Sequence, residues 1–317
     1  MNYLEFINKK IKENVAIHEK LVLFGQNINA GSCLGGLTRG LKVKDNSMII
    51  NSTNTENSLC GCGFGLMISS ISSIFFMKQL DFLLLGIDHL VNTFNIIRNN
   101  HDRISNASFT IFPIIVDNGF QGPQSSHNNF GDFCSIARIQ GYTITNKFDA
   151  EKIIDSELIS PGFRIIGVSQ RLFKNEIIEP KNVVFVNEEF SLFQYTEGKD
   201  VTIVCYNFSF PQGWEMMHKL KEKGIETALF NVNSPTPINW EKIIESVRKT
   251  KKIIVIDDSK SANVNCDGLL AEICGNVSIS KKIVIKRKFD KDWLNPIDDQ
   301  MGINYDSIIN EISNKSV

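Results

Sequence analysis

The sequence predicts an α/β protein made of two parallel-sheet domains. Two observations carry that expectation. Beyond residue 200, strand-length apolar runs alternate with helix-length runs across short links: Val201–Cys205, Gly213–Lys223, Thr227–Val232, Trp240–Lys252 and Ile253–Asp257. That βαβαβ order closes into a parallel sheet with right-handed crossovers. Upstream, Ser108–Val116 (SFTIFPIIV) reads as a buried, mostly apolar strand that empties into a polar loop bearing glycines and His127. A buried strand feeding such a loop is where α/β sheets place ligand sites. The 317 residues suffice for two cores, and the expected spans are 1–185 and 186–317.

Composition narrows the function. Apolar content of 42%, charged content of 22% and a net charge of −1 describe an ordinary globular chain. They give no reason to expect nucleic acid or an anionic membrane surface as partner. The seven cysteines follow no disulfide-like rhythm, and Met1–Lys20 reads as a mixed-charge amphipathic segment rather than a secretory signal. Reduced thiols and a cytoplasmic location are the expectation. Cys60-Gly61-Cys62 has no second Cys or His pair at ligand spacing, so no metal is expected on this chain.

The elements follow in order. Leu4, Ile7, Ile11 and Val15 form a stripe at helical spacing, and Leu21–Phe24 reads as a short buried strand ending at Gly25. A glycine-bearing loop runs to Leu41. The central stretch, Thr53–Asn92, carries Glu56 as its lone charge before Lys78. Asn57 or Ser58 can cap a helix starting near Leu59, with Gly61 and Gly65 on one face open to close packing. A strand, Ile71–Met77, and a long helix, Leu83–Asn99, are expected next. Asn57–Met77 is uncharged over about the length of a membrane span. Its three glycines and five serines, with no basic flank, favour a buried helix, turn and strand instead. Tyr142–Thr145, Asp149–Leu158 and Phe163–Val168 continue the strand and helix alternation, and Lys174–Asp200 reads as the crossing between domains.

A carboxylate at the mouth of a helix is commonly a dipole-complementing cap. A lone loop histidine is commonly just solvated. The order of motifs raises a sharper reading. Glu56, then Gly61-Cys62-Gly63-Phe64-Gly65, then a strand, then Asp81-Phe82 before a helix resembles the beta subunit of thiamine-diphosphate-dependent 2-oxo-acid dehydrogenases, and more broadly the C-terminal half of transketolase. Asp200-Val-Thr-Ile-Val, Gly224-Ile-Glu, Ile243-Ile-Glu-Ser-Val-Arg-Lys-Thr and Leu270-Ala-Glu272-Ile resemble the same family's C-terminal domain.

The resemblance implies a pyrimidine-binding domain followed by a transketolase C-terminal-like domain. It implies thiamine diphosphate as cofactor, with Glu56 hydrogen-bonding the pyrimidine nitrogen, Phe82 stacking on that ring, and His127 facing the substrate as acid/base or oxyanion donor. The family's Gly-Asp-Gly diphosphate grip is missing: Gly131-Asp132 is followed by Phe133. An alpha-type partner subunit is therefore expected to hold the diphosphate and Mg²⁺. Self-association through the Gly61/Gly65 face and the long helix would complete an α2β2 heterotetramer. The implied substrate is a 2-oxo acid, or a ketose donor if the chain is a split transketolase-like subunit. Gln26 and Asn27 stand where the family carries acids, and Asp117 where it carries Arg, which motivates the alternative of a non-catalytic structural relative.

Overall fold

The computed structural model describes residues 1–100, 106–117, 128–236, 238–261, 263–287 and 301–313. Two six-stranded sheets organise them. The first runs in the order β2 (Met48–Asn51), β1 (Leu21–Gly25), β3 (Ser72–Met77), β4 (Ser108–Ile115), β6 (Gly162–Ser169), β5 (Gly141–Ile144), and every neighbouring pair is parallel. β3 and β4 are mostly apolar and buried along nearly all their length because both faces are covered. Ile74 and Phe76 point into one apolar cluster, while Phe75 and Met77 point into the other.

The second sheet runs β12 (Lys281–Lys286), β11 (Lys252–Asp257), β9 (Val201–Tyr206), β10 (Thr227–Val232), β8 (Leu192–Thr196), β7 (Phe185–Val186). Its first four strands are parallel: β9, β10 and β11 are those of the predicted βαβαβ pattern, and β12 adds a further one. β7 and β8 are antiparallel and lie within the stretch expected to be a connection. They form a hairpin whose turn is held by Asn187, its Oδ1 accepting from the backbone N–H of Ser191 and Leu192. The polar residues of that stretch mask two short strands.

The helices are α1 (Tyr3–Val15), α2 (Glu56–Ile68), α3 (Phe94–Asn99), α4 (Phe130–Ala137), α5 (Lys147–Glu157), α6 (Phe210–Glu222), α7 (Glu241–Thr250), α8 (Asp267–Asn276) and α9 (Tyr305–Ser313). Helix α2 starts earlier than expected, because the carbonyl of Thr55 accepts from the Leu59 amide at 2.9 Å and closes the first turn at Glu56. The expected long helix Leu83–Asn99 is broken. In its place come a 3₁₀ turn (Leu80–Gly86), a π-helical turn (His89–Thr93) and α3, with a bend of 68° between Leu80–Gly86 and His89–Asn99. Among the described residues no single helix is long and apolar enough to cross a membrane.

The glycines of α2 do not act as a pair. A Cβ at Gly63 would lie 2.2 Å from the Phe109 ring, so this glycine is the one that lets α2 lie against β4. Gly61 sits under the His89 imidazole, 3.1 Å from the place of a Cβ, and Gly65 opens onto empty space.

The C-terminal edges of the two sheets meet over half their width. The ends of β4, β5 and β6 face the ends of β9, β10 and β11. Thr143 N–H donates to the Asn233 carbonyl at 2.7 Å, and Asn233 Nδ2 returns a bond to the Thr143 carbonyl at 2.7 Å. One apolar cluster runs through both sheets, from Tyr3 and Ile144 to Phe193, Ile203 and Ile254. The ends of β2, β1 and β3 are left outside this seam, where Asn27, Thr53, Asn54 and Lys78 are exposed.

Candidate functional site

Strands β1 and β3 lie side by side, yet β1 continues to β2 on one flank and β3 to β4 on the other. Such a reversal leaves a crevice beyond the strand ends, the usual ligand position in an open α/β sheet. Gly25 makes the crevice possible. Its φ is +149°, and a Cβ there would lie 2.1 Å from the Phe76 carbonyl oxygen, so only glycine lets the chain leave β1 against β3. Gln26, Asn54, Glu56, Leu59, Met77 and Lys78 line a small cleft at this point.

Glu56 is the first residue of α2 and only 8% exposed. The residue before it, Thr55, makes no side-chain cap bond, so a carboxylate and a helix N-terminus share one spot. The positive end of the helix dipole favours an anion there. Phe82 is half-buried on the Leu80–Gly86 turn, which packs on the first turn of α2, with Asn57 Nδ2 donating to the Leu85 carbonyl at 3.4 Å. The fold thus brings Glu56 and Phe82 to adjoining elements at one sheet edge. His127 lies outside the described residues. Among the described residues no group of three or more His, Cys, Asp or Glu side chains could hold a metal ion.

Asp117, singled out at the end of β4, turns inward. It is fully buried, and its carboxylate accepts from Ser169 Oγ at 2.6 Å and from the Arg171 amide at 3.0 Å. Burial pushes its pKa up, against the pull of the Arg171 guanidinium. Arg171 Nη2 in turn pairs with Asp258 at 2.7 Å, and Asp258 Oδ1 accepts from Asn128 Nδ2 at 3.1 Å, so these acids tie the domains together.

A second buried carboxylate, Asp149, does the same beside β5. It accepts from the Thr145 and Asn146 amides and from Asn231 and Asn233 Nδ2. The one local signal of this group is Asn146 followed three residues later by Asp149, a capping-box spacing. Nothing local marks Asn231 or Asn233. Lys78, which in the sequence simply ends an uncharged run, lines the crevice.

Residues 194–277 match the family model of the transketolase C-terminal domain. That stretch of the second sheet is similar to a transketolase C-terminal domain. The chain is 23% identical over 306 residues to the pyruvate dehydrogenase E1 component subunit beta-1, mitochondrial, of Arabidopsis thaliana, covering 87% of this chain and 76% of that one. Against the pyruvate dehydrogenase E1 component subunit beta of Acholeplasma laidlawii it is 21% identical over 262 residues, 81% of this chain and 79% of the relative. A solved structure described as a split-gene transketolase, inactive beta4 tetramer, superposes with a TM-score of 0.64 at 16% identity, covering 97% of this chain and 95% of that one. Similarity in sequence covers most of the chain, and the two-sheet α/β fold is shared along nearly all of it.

Proposed function

We propose that this chain is the beta-type subunit of a thiamine-diphosphate-dependent enzyme that decarboxylates a 2-oxo acid and passes on the acyl or aldehyde unit. One observation carries the reading: Glu56, nearly buried on the first turn of α2, stands at the strand-order reversal beside Gln26. Similarity to E1 beta subunits over most of the chain supports it.

When bound, thiamine diphosphate supplies an electron sink for carbanion chemistry next to a carbonyl. Glu56 holds a proton at the pyrimidine nitrogen, and the turn bearing Phe82 offers an aromatic face to the same ring. His127 acts on the substrate side. The cleft itself has room for little more than a water molecule, so this half presents one wall of a site rather than a chamber. An alpha-type partner contributes the other wall, with the diphosphate grip and Mg²⁺. Gly65, with open space before it, and the exposed Ile68, Leu84 and Leu85 offer an apolar face for a second copy, giving α2β2. A ketose donor in place of the 2-oxo acid would use the same residues.

A non-catalytic relative is the second reading. Asp117, in the place of a family arginine, is spent on Ser169 and Arg171. Titration calorimetry with thiamine diphosphate and MgCl₂ tests both readings. The chain alone is expected to bind nothing, and the chain with its alpha-type partner to bind in a Mg²⁺-dependent way. Tight binding by the single chain would overturn the shared-site reading. No binding by the complex would favour the non-catalytic one.

A further inference from the structure

Gly86 ends the turn that carries Phe82, and it is buried against the first turn of α2. A Cβ at Gly86 would lie 2.6 Å from Cys60 Sγ and 3.3 Å from the Glu56 carbonyl oxygen. Cys60 has no solvent exposure and follows Glu56 by four residues, so the two share a face of the helix. Burial pushes the Cys60 thiol up to about 12, which leaves it neutral and unreactive. Its contribution is shape. The distance between the Glu56 helix and the Phe82 turn is set where a thiol meets a residue with no side chain.

We propose that Cys60 and Gly86 form a spacer that sets the gap between Glu56 and Phe82, and with it the fit of a planar heteroaromatic ring. The proposal rests on the thiamine diphosphate reading of this crevice. Both are positioning residues, since neither lines the cleft beside Glu56. A methyl group at position 86 meets sulfur roughly 1 Å inside ordinary contact and backbone just behind it, so the turn must lift. Stacking is short-ranged: a gap of ~0.5–1 Å forfeits a quarter to a half of the contact energy. Misplacement by about 1 Å is enough to lower a rate ~100-fold.

The test uses Gly86→Ala, Cys60→Ala and the double variant, each as the chain alone and with its alpha-type subunit. The first readout needs no cofactor. Iodoacetamide labelling followed by peptide mass spectrometry should find Cys60 protected in the parent and labelled at least about 10-fold faster in Gly86→Ala, as expected when a buried thiol is uncovered. The second is the Kd for thiamine diphosphate in the complex, expected to rise by roughly 10–100-fold in Gly86→Ala. Removing the sulfur restores the space, so Cys60→Ala/Gly86→Ala should return to within about 3-fold of the parent Kd, a rescue that general destabilisation does not produce. If Gly86→Ala does not fold, the double variant decides alone: parental binding supports the spacer. A double variant no better than Gly86→Ala, or a Gly86→Ala chain with protected Cys60 and parental Kd, overturns it. If the parental complex binds no thiamine diphosphate, the functional reading falls, and the labelling arm still decides whether residue 86 spaces the turn.

Discussion

Asn233 Nδ2 donates to Asp149 Oδ2 at 2.9 Å, joining the two sheets through a carboxylate with no solvent exposure. The same carboxylate closes the capping box of α5, so the helix start and the domain seam share one acceptor. Burial pushes the Asp149 pKa up from 3.8 to about 6, and the bonds from Thr145, Asn146 and Asn233 only partly offset it.

The pH dependence follows from that direction. A folded pKa above the unfolded one stabilises the fold fully below the unfolded value of 3.8, and the contribution is lost as pH rises through about 6. Measured by urea unfolding, the stability of the parent minus that of Asp149→Asn should fall between pH 4 and pH 7. The expected drop is on the order of 3 kcal/mol. A difference that stays flat or rises with pH would show that the hydrogen bonds outweigh burial.

Glu56→Gln separates a cap from a catalyst. The amide keeps the shape and loses the charge, so a cap alone predicts a stability loss of roughly 0.3–1 kcal/mol and no other change. If Glu56 holds the pyrimidine proton, deuterium exchange at the thiazolium carbon of bound thiamine diphosphate should slow in the reconstituted complex. NMR should find slowing of about 10²–10⁴-fold at unchanged fold. A variant that binds the cofactor and exchanges at the parental rate makes Glu56 a cap.

Gly65→Leu tests self-association cleanly. Among the described residues, no atom beyond the adjoining residues and the backbone of α2 itself lies within 4 Å of the place of a Cβ at Gly65, so leucine has room there. Helix propensity even favours it by up to ~0.8 kcal/mol. Light scattering should nevertheless report a lower mass, because the added side chain fills the space a second copy needs. An unchanged assembly would move the contact elsewhere on the surface.

Departures from the motif pattern were legible, but their meaning was not. Asp117 stood out at a strand end in the sequence, where it suggested a lost site residue. Folding turns it into a structural acid, because Ser169 and Arg171 arrive from the end of the neighbouring strand β6. The order of motifs puts Glu56 and Phe82 forward together, and the fold carries them on adjoining elements beside the β1/β3 reversal.

What the sequence determined by itself was local. The apolar runs of β3 and β4, the βαβαβ alternation after residue 200 and the stripe on α1 follow from side-chain periodicity, which each segment carries alone. Only the tertiary structure decided which close approaches occur. Gly63 rather than Gly61 or Gly65 meets the sheet because Phe109 lies beneath it, and the helix after Phe82 breaks where Gly86 meets Cys60. β7 and β8 become strands because β10 offers an edge to pair with, and their own polar sequence hides them. Asp149 finds Asn231 and Asn233, and Arg171 finds Asp258, across the domain seam. Such pairings depend on packing between distant segments, and no local period records them.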